Sequence, residues 1–142
     1  MDAHIAIPQL LYRYAELIDA GDLAGAAAMF DHARIKMAQG YETDSAGVLE
    51  QWRRRVVIHP CGTPRTRHVV TNPIIEADEA AGSATCRSCY TVLQQTDTLP
   101  LQVIASGRYH DTFARVDGQW RFASRDYSQF DMRGDLSQHL LG

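Results

Sequence analysis

The chain has 142 residues, 45% of them apolar and 22% charged, with a net charge of -3. That length suits one domain with a core of its own, read as residues 1–142, and the acidic balance offers no general attraction to nucleic acid or to an anionic membrane. No apolar run could span a bilayer, no signal-peptide pattern opens the chain, and three cysteines cannot all pair internally, so a reducing cytoplasm is the expected setting.

Ile7, Leu10, Leu11, Tyr14, Leu17 and Ile18 recur at helical spacing and predict a first helix from about Ala6 to Ala20, ended by Gly21. Asp22 can cap a short second helix with Leu23, Ala26, Ala27 and Phe30 on one face. A brief extended stretch, Ala33 to Met37, precedes a turn at Gly40. Ser45 caps a third helix through Val48, Leu49, Trp52 and Val56, and Arg53, Arg54 and Arg55 read as a solvated helix end that complements the dipole. After the loop of Pro60, Gly62 and Pro64 the apolar period changes to two, which predicts strands at about Thr66–Glu76, Gly82–Leu93, Leu101–Val116 and Gln119–Tyr127. Asp78–Gly82, Thr96–Pro100 and Asp117-Gly118 supply the turns. Helices followed by an antiparallel meander predict an α+β fold, three N-terminal helices packed on a curved, mostly antiparallel sheet, with a small-molecule cavity inside the resulting cone.

Two residues stand out on that frame. Asp19 falls near the C-terminal end of the first helix, where a carboxylate meets the negative end of the dipole. It is either a surface residue opening a turn or an acceptor for an imidazole. His68, on the first long strand with Thr66, Val70, Asn72 and Ile74 on its face if that strand is regular, is either a satisfied rim histidine or that imidazole. Joined, the two form minimal machinery for taking a proton from carbon without a cofactor.

Tyr14 lies on the inward stripe of its helix and can offer a hydroxyl to a substrate oxygen. Arg125 can stabilise an anion, but strict alternation puts it opposite Trp120 and Phe122, so it enters the pocket only if a bulge near Ala123 or Ser124 shifts the register or if the odd positions of the strand face inward. Ser88 and Tyr90 share a strand face and can line the same cavity. His110 is a further polar candidate, or a partner for an acidic residue on a neighbouring strand such as Asp126. Cys86 and Cys89 have a metal-like spacing, but on a strand their side chains diverge, so no metal is expected there. No phosphate-binding or dinucleotide glycine motif is present, and no cofactor is expected.

Tyr12-Arg-Tyr14-Ala-Glu-Leu-Ile-Asp19-Ala-Gly-Asp22, Thr66-Arg-His68-Val-Val-Thr-Asn72, Gly107-Arg-Tyr-His-Asp-Thr-Phe113 and Asp117-Gly-Gln-Trp120-Arg-Phe122, in that order, resemble the SnoaL-like branch of the nuclear-transport-factor-2-like superfamily. The resemblance covers nearly the whole chain and implies a cone-shaped α+β barrel. Within that superfamily the chain is similar to scytalone dehydratase, bile-acid 7α-dehydratase and hexachlorocyclohexane dehydrochlorinase, whose helix Asp and strand His act as a dyad. Asp19 and His68 fall on those positions, Tyr14 on a polar active-site position, and Arg125 on or near an active-site arginine. Ser88 stands about where the bile-acid enzyme has a further Asp, a departure that removes or changes that role. The implied activity is a dehydratase-like elimination on a small cyclic, aromatic, polyketide-like or steroid-like substrate. A cyclase or isomerase with the same base, and a noncatalytic ligand-binding or assembly module, are the alternatives within the fold. A homodimer or homotrimer is expected from the broad sheet face, with the tail from Asp131 to Gly142 packing on a neighbour.

Overall fold

A computed structural model describes residues 1–142. Helix α1 (Ala3–Asp19) begins one turn earlier than the apolar pattern suggests. Pro8 sits near the expected start, where a proline is tolerated, but Asp2 supplies the true cap by accepting from the His4 and Ile5 amides. Helix α2 (Leu23–Ala28) is capped by Asp22 as expected. Helix α3 (Ser45–Arg55) is capped by Asp44, not Ser45, whose hydroxyl instead donates to the Ala27 carbonyl and ties α3 to the end of α2.

The strands are β1 (Arg34–Lys36), β2 (Glu42–Thr43), β3 (Thr66–Asp78), β4 (Ser83–Gln94), β5 (Gln102–Val116), β6 (Gln119–Asp126) and β7 (Met132–Arg133). They form one sheet in the order β2-β1-β6-β5-β4-β3, with β7 added on β5. All pairings are antiparallel except β1 with β6. The sheet is curved and unclosed, and the three helices pack on its inner face. β3 is therefore a free edge, partly covered by α1.

Two bulges decide which side chains face inward. In β3 the register slips between Thr71 and Ile74, with Asn72 in the left-handed region at φ 55°. Pro73 follows it, which an edge strand tolerates. Thr66, His68 and Val70 consequently face the helices, but Asn72 and Ile74 do not continue that face, and Ile75 and Ala77 take over. In β6 the register slips at Ala123, because Phe113 pairs with Phe122 while Thr112 pairs with Ser124. That extra residue turns Arg125 onto the inner face behind Trp120 and Phe122.

No helix is long and apolar enough to cross a membrane. The C-terminal segment folds back on its own chain: Leu140 bridges Val56, the Leu141 amide donates to the Arg55 carbonyl, and Gln94 Nε2 donates to the Gln138 carbonyl at 3.0 Å.

Candidate functional site

Asp19 is the last residue of α1. Gly21 lies just beyond, at φ 81°, and packs so closely on the Gly62 carbonyl that a Cβ would collide with it. That contact holds the helix end against the loop leading into β3 and brings the Asp19 carboxylate to the sheet edge. Three donors converge on it. His68 Nδ1 lies 2.6 Å from Oδ1, the Thr66 hydroxyl donates to Oδ1 at 2.9 Å, and the His68 amide donates to Oδ2 at 2.7 Å. The last bond uses an outward edge amide of β3 that no neighbouring strand reaches. Together the bonds offset the dipole penalty of an acid at a helix C-terminus.

An ionised carboxylate only accepts, so Nδ1 carries the ring proton and Nε2 holds the lone pair in the neutral imidazole. The two side chains are 16% and 9% exposed for Asp19 and His68. Nε2 makes no hydrogen bond within the protein, yet it is not among the fully sealed polar atoms, so it keeps solvent-accessible surface. The pair borders a cleft of about 450 Å³ between α1 and β3, whose walls include Tyr12, Glu16 and Arg67.

His139 joins this neighbourhood from the C-terminal segment. Its ring stands edge-on to His68, with centroids 6.2 Å apart and planes at 70°. Its carbonyl accepts from the Val57 amide at 2.8 Å, which fixes the segment in place. The residue is 7% exposed, and Nδ1 is buried without a partner. No sequence pattern marks it: it precedes Leu140 in a short irregular tail and is buried only because that tail returns to the sheet.

Burial pushes the His139 imidazole down to about 4, with His68 and His59 acting in the same direction and Asp19 opposing them. A folded value below the unfolded one means the unfolded chain binds the proton more readily between pH 6.5 and pH 4. Stability from this group is complete above about pH 6.5 and lost as pH falls, amounting to about 3 kcal/mol by pH 4. Denaturant midpoints at pH 7 and pH 4.5 test this. The fall should be clearly smaller in His139→Gln than in the unaltered protein, and equal falls would show that His139 is not the group responsible.

The interior of the cone is filled rather than hollow. Arg125 is 1% exposed and is bound by Asp111 directly opposite on β5, with Nε to Oδ1 at 2.8 Å and Nη2 to Oδ2 at 2.9 Å. Its guanidinium carbon lies 3.8 Å from the Tyr109 ring centre and 4.5 Å from that of Tyr14, with Phe122, Phe30 and Tyr127 completing the cage. Burial alone would lower the Arg125 pKa, but the Asp111 carboxylate outweighs it and holds the guanidinium charged, well above the ordinary range. Tyr14 is spent in the same cluster, its hydroxyl 2.7 Å from that of Tyr127. Arg125 and Tyr14 thus face each other and the core, and neither borders the His68 cleft.

Ser88 also faces inward, buried, with its hydroxyl unpartnered. His110 lies on the outer face of β5, opposite Asp126 and Arg87, away from the cone interior. Cys86 is buried on the inner face and Cys89 falls on the other, both as free thiols. Tyr90 alone among the expected cavity residues borders the apolar cavity at the mouth of the cone. That cavity is about 170 Å³, with Met37, Trp52, Tyr127, Phe130 and Leu140 among its walls. The expected single pocket is therefore two spaces, the polar cleft at His68 and the apolar cavity beyond the His139-Leu140 edge. The two spaces share no lining residue, and Tyr14, Tyr109, Asp111 and Arg125 are buried in the core.

Comparison with known proteins places these features in context. A family model described as a SnoaL-like domain matches residues 1–126. Among curated proteins, none matches the chain. A solved protein of unknown function from Mycobacterium tuberculosis is 27% identical, with a TM-score of 0.71 over 91% of this chain and 72% of its own. One from Nostoc punctiforme, of unknown function and cystatin-like fold, is 20% identical with a TM-score of 0.76 over 96% of this chain and 98% of its own. A scytalone dehydratase-like protein from Novosphingobium aromaticivorans is 22% identical with a TM-score of 0.64, covering 92% of this chain and 89% of its own.

Proposed function

The chain belongs to the SnoaL-like domain family, and we propose that it is a cofactor-independent lyase, dehydratase-like, in which His68 is the base and Asp19 its positioning residue. The observation that carries this reading is the 2.6 Å contact between Asp19 and His68 Nδ1, with Nε2 free of any hydrogen bond within the protein and not fully sealed from solvent. In the proposed step, Nε2 takes a proton from a carbon next to an electron-withdrawing group. The C–H electron pair becomes the new C=C bond as a hydroxyl departs from the adjacent carbon. The imidazolium returns its proton to that oxygen, so water leaves and the base is restored. Asp19 holds the ring with Nε2 outward and stabilises the imidazolium through the short ionic hydrogen bond. A small cyclic or aromatic substrate suits the cleft of about 450 Å³ that His68 borders.

Proton abstraction leaves a record even when elimination is slow. Candidate β-hydroxy carbonyl compounds incubated with the protein in heavy water should acquire deuterium at the acidic carbon or lose water, both catalytically. If neither exchange nor elimination exceeds the buffer rate across such a series, the base assignment fails.

A second reading is favoured by one observation. The apolar cavity has no His68 in its wall, which suits a ligand-holding module without chemistry. The two readings separate in the same experiment, since a module binds but exchanges nothing.

A further inference from the structure

The apolar cavity at the mouth of the cone carries a charge pattern of its own. The chain as a whole has a net charge of -3, yet Arg55, Arg133, Gln39 and Gln51 stand in the cavity wall, no acidic residue lines it, and the nearby Asp131 is paired with Arg108 at 3.6 Å. Every ion pair between side chains uses other cations, so neither arginine is paired with an Asp or Glu side chain. Each is held in place without one. The Arg133 guanidinium lies 4.1 Å over the Phe130 ring, and Arg55 donates to the tail from Nε to the Leu141 carbonyl at 3.2 Å and from Nη2 to the Gly142 carbonyl oxygen at 3.4 Å. Arg133 therefore keeps its whole guanidinium for a ligand and Arg55 keeps its Nη1 side, planar donors that match a carboxylate better than a spherical ion does.

The rest of the wall defines what the carboxylate is attached to. Trp52, Tyr90, Tyr127 and Phe130 give aromatic faces, and Met37 and Leu140 close the space with aliphatic surface. A cavity of about 170 Å³ is close to the roughly 150 Å³ of an engineered apolar cavity that takes up benzene. That volume accommodates one ring.

We propose that this cavity binds a compact single-ring carboxylate, with the ring among Trp52, Tyr90, Tyr127 and Phe130 and the carboxylate at Arg55 and Arg133. The site goes beyond the base chemistry of His68. The binding stands apart from any turnover at His68, which does not line this cavity.

Benzoate and benzamide have the same shape and differ in charge, so they are suitable probes for calorimetry or ligand-observed NMR with the full-length protein. Benzoate should bind at least ten-fold tighter than benzamide, and the preference should shrink as salt is raised. In Arg55→Gln/Arg133→Gln the ratio should fall to about one with benzamide affinity unchanged. Should the double variant fold poorly, because Arg55 also tethers the tail, Arg133→Gln alone must cost benzoate at least three-fold and leave benzamide unmoved. His68→Ala should bind benzoate as the unaltered protein does, which separates this site from the fate of the base assignment. Equal affinity for the two probes, absence of binding by both, or a preference that survives loss of the arginines would overturn the proposal.

Discussion

Replacing His68 with alanine is expected to lower turnover by about 10²- to 10⁴-fold, the range a positioned general base supplies, while leaving the fold in place. The fold should survive because Asp19 keeps two of its three donors, the Thr66 hydroxyl and the backbone amide of residue 68. The lost contact costs stability on the order of 1–3 kcal/mol, as for one hydrogen bond to a charged group. Asp19→Asn discriminates more finely. Asparagine can still accept from Nδ1, but it carries no charge to stabilise an imidazolium, so kcat should fall while KM stays near its original value. A residue that merely braced the helix end against β3 would move the melting temperature and leave that kcat-to-KM split untouched. Full activity in His68→Ala would remove the pair from the mechanism and leave the ligand-holding reading in its place.

The helices and long strands were legible because their apolar periods are clean and their ends carry turn residues. Asp19 could be singled out because an acid at a helix C-terminus needs compensation, and a histidine on the facing strand was the available donor. What one chain position after another cannot disclose is register. Arg125 faces inward through a single extra residue at Ala123, a possibility visible in the sequence but not decidable there. Asp111, between His110 and Thr112, carries no motif of its own, although alternation from Tyr109 to Phe113 puts it on the inner face. An acid in the core gains meaning only when its cross-strand partner is known. Asn72 bulges β3 for the same kind of reason, displacing Ile74 from the inner face. The two-residue strands β2 and β7 are too short to leave a period. His139 has the least local signal, since its burial depends on where a tail of irregular structure comes to rest.

Breaking the Arg125–Asp111 pair from one side is expected to be strongly destabilising. Both side chains are 0% exposed. Asp111→Ala would leave a guanidinium buried among five rings with no counter-charge and with Nη1 already unpartnered. Breaking a buried pair from one side costs about 3–5 kcal/mol, which for a chain of 142 residues corresponds to a fall of roughly 10–17 °C in melting temperature. The ring faces soften that loss through cation–π attraction, but such contacts are worth about 1–2 kcal/mol and cannot replace a bidentate carboxylate. Asp111→Leu/Arg125→Met removes both charges at similar volume and should recover most of the difference, because the desolvation cost disappears with the attraction. Thermal melts of the two variants measure this directly. The same comparison assigns Arg125 its role. An arginine aimed at substrate would show its partner's loss mainly in KM, whereas one that organises the core shows it in the melt. If Asp111→Ala melts within a degree or two of the unaltered protein, the aromatic cage rather than the ion pair holds the centre of the cone, and Arg125 becomes free to serve a ligand after all.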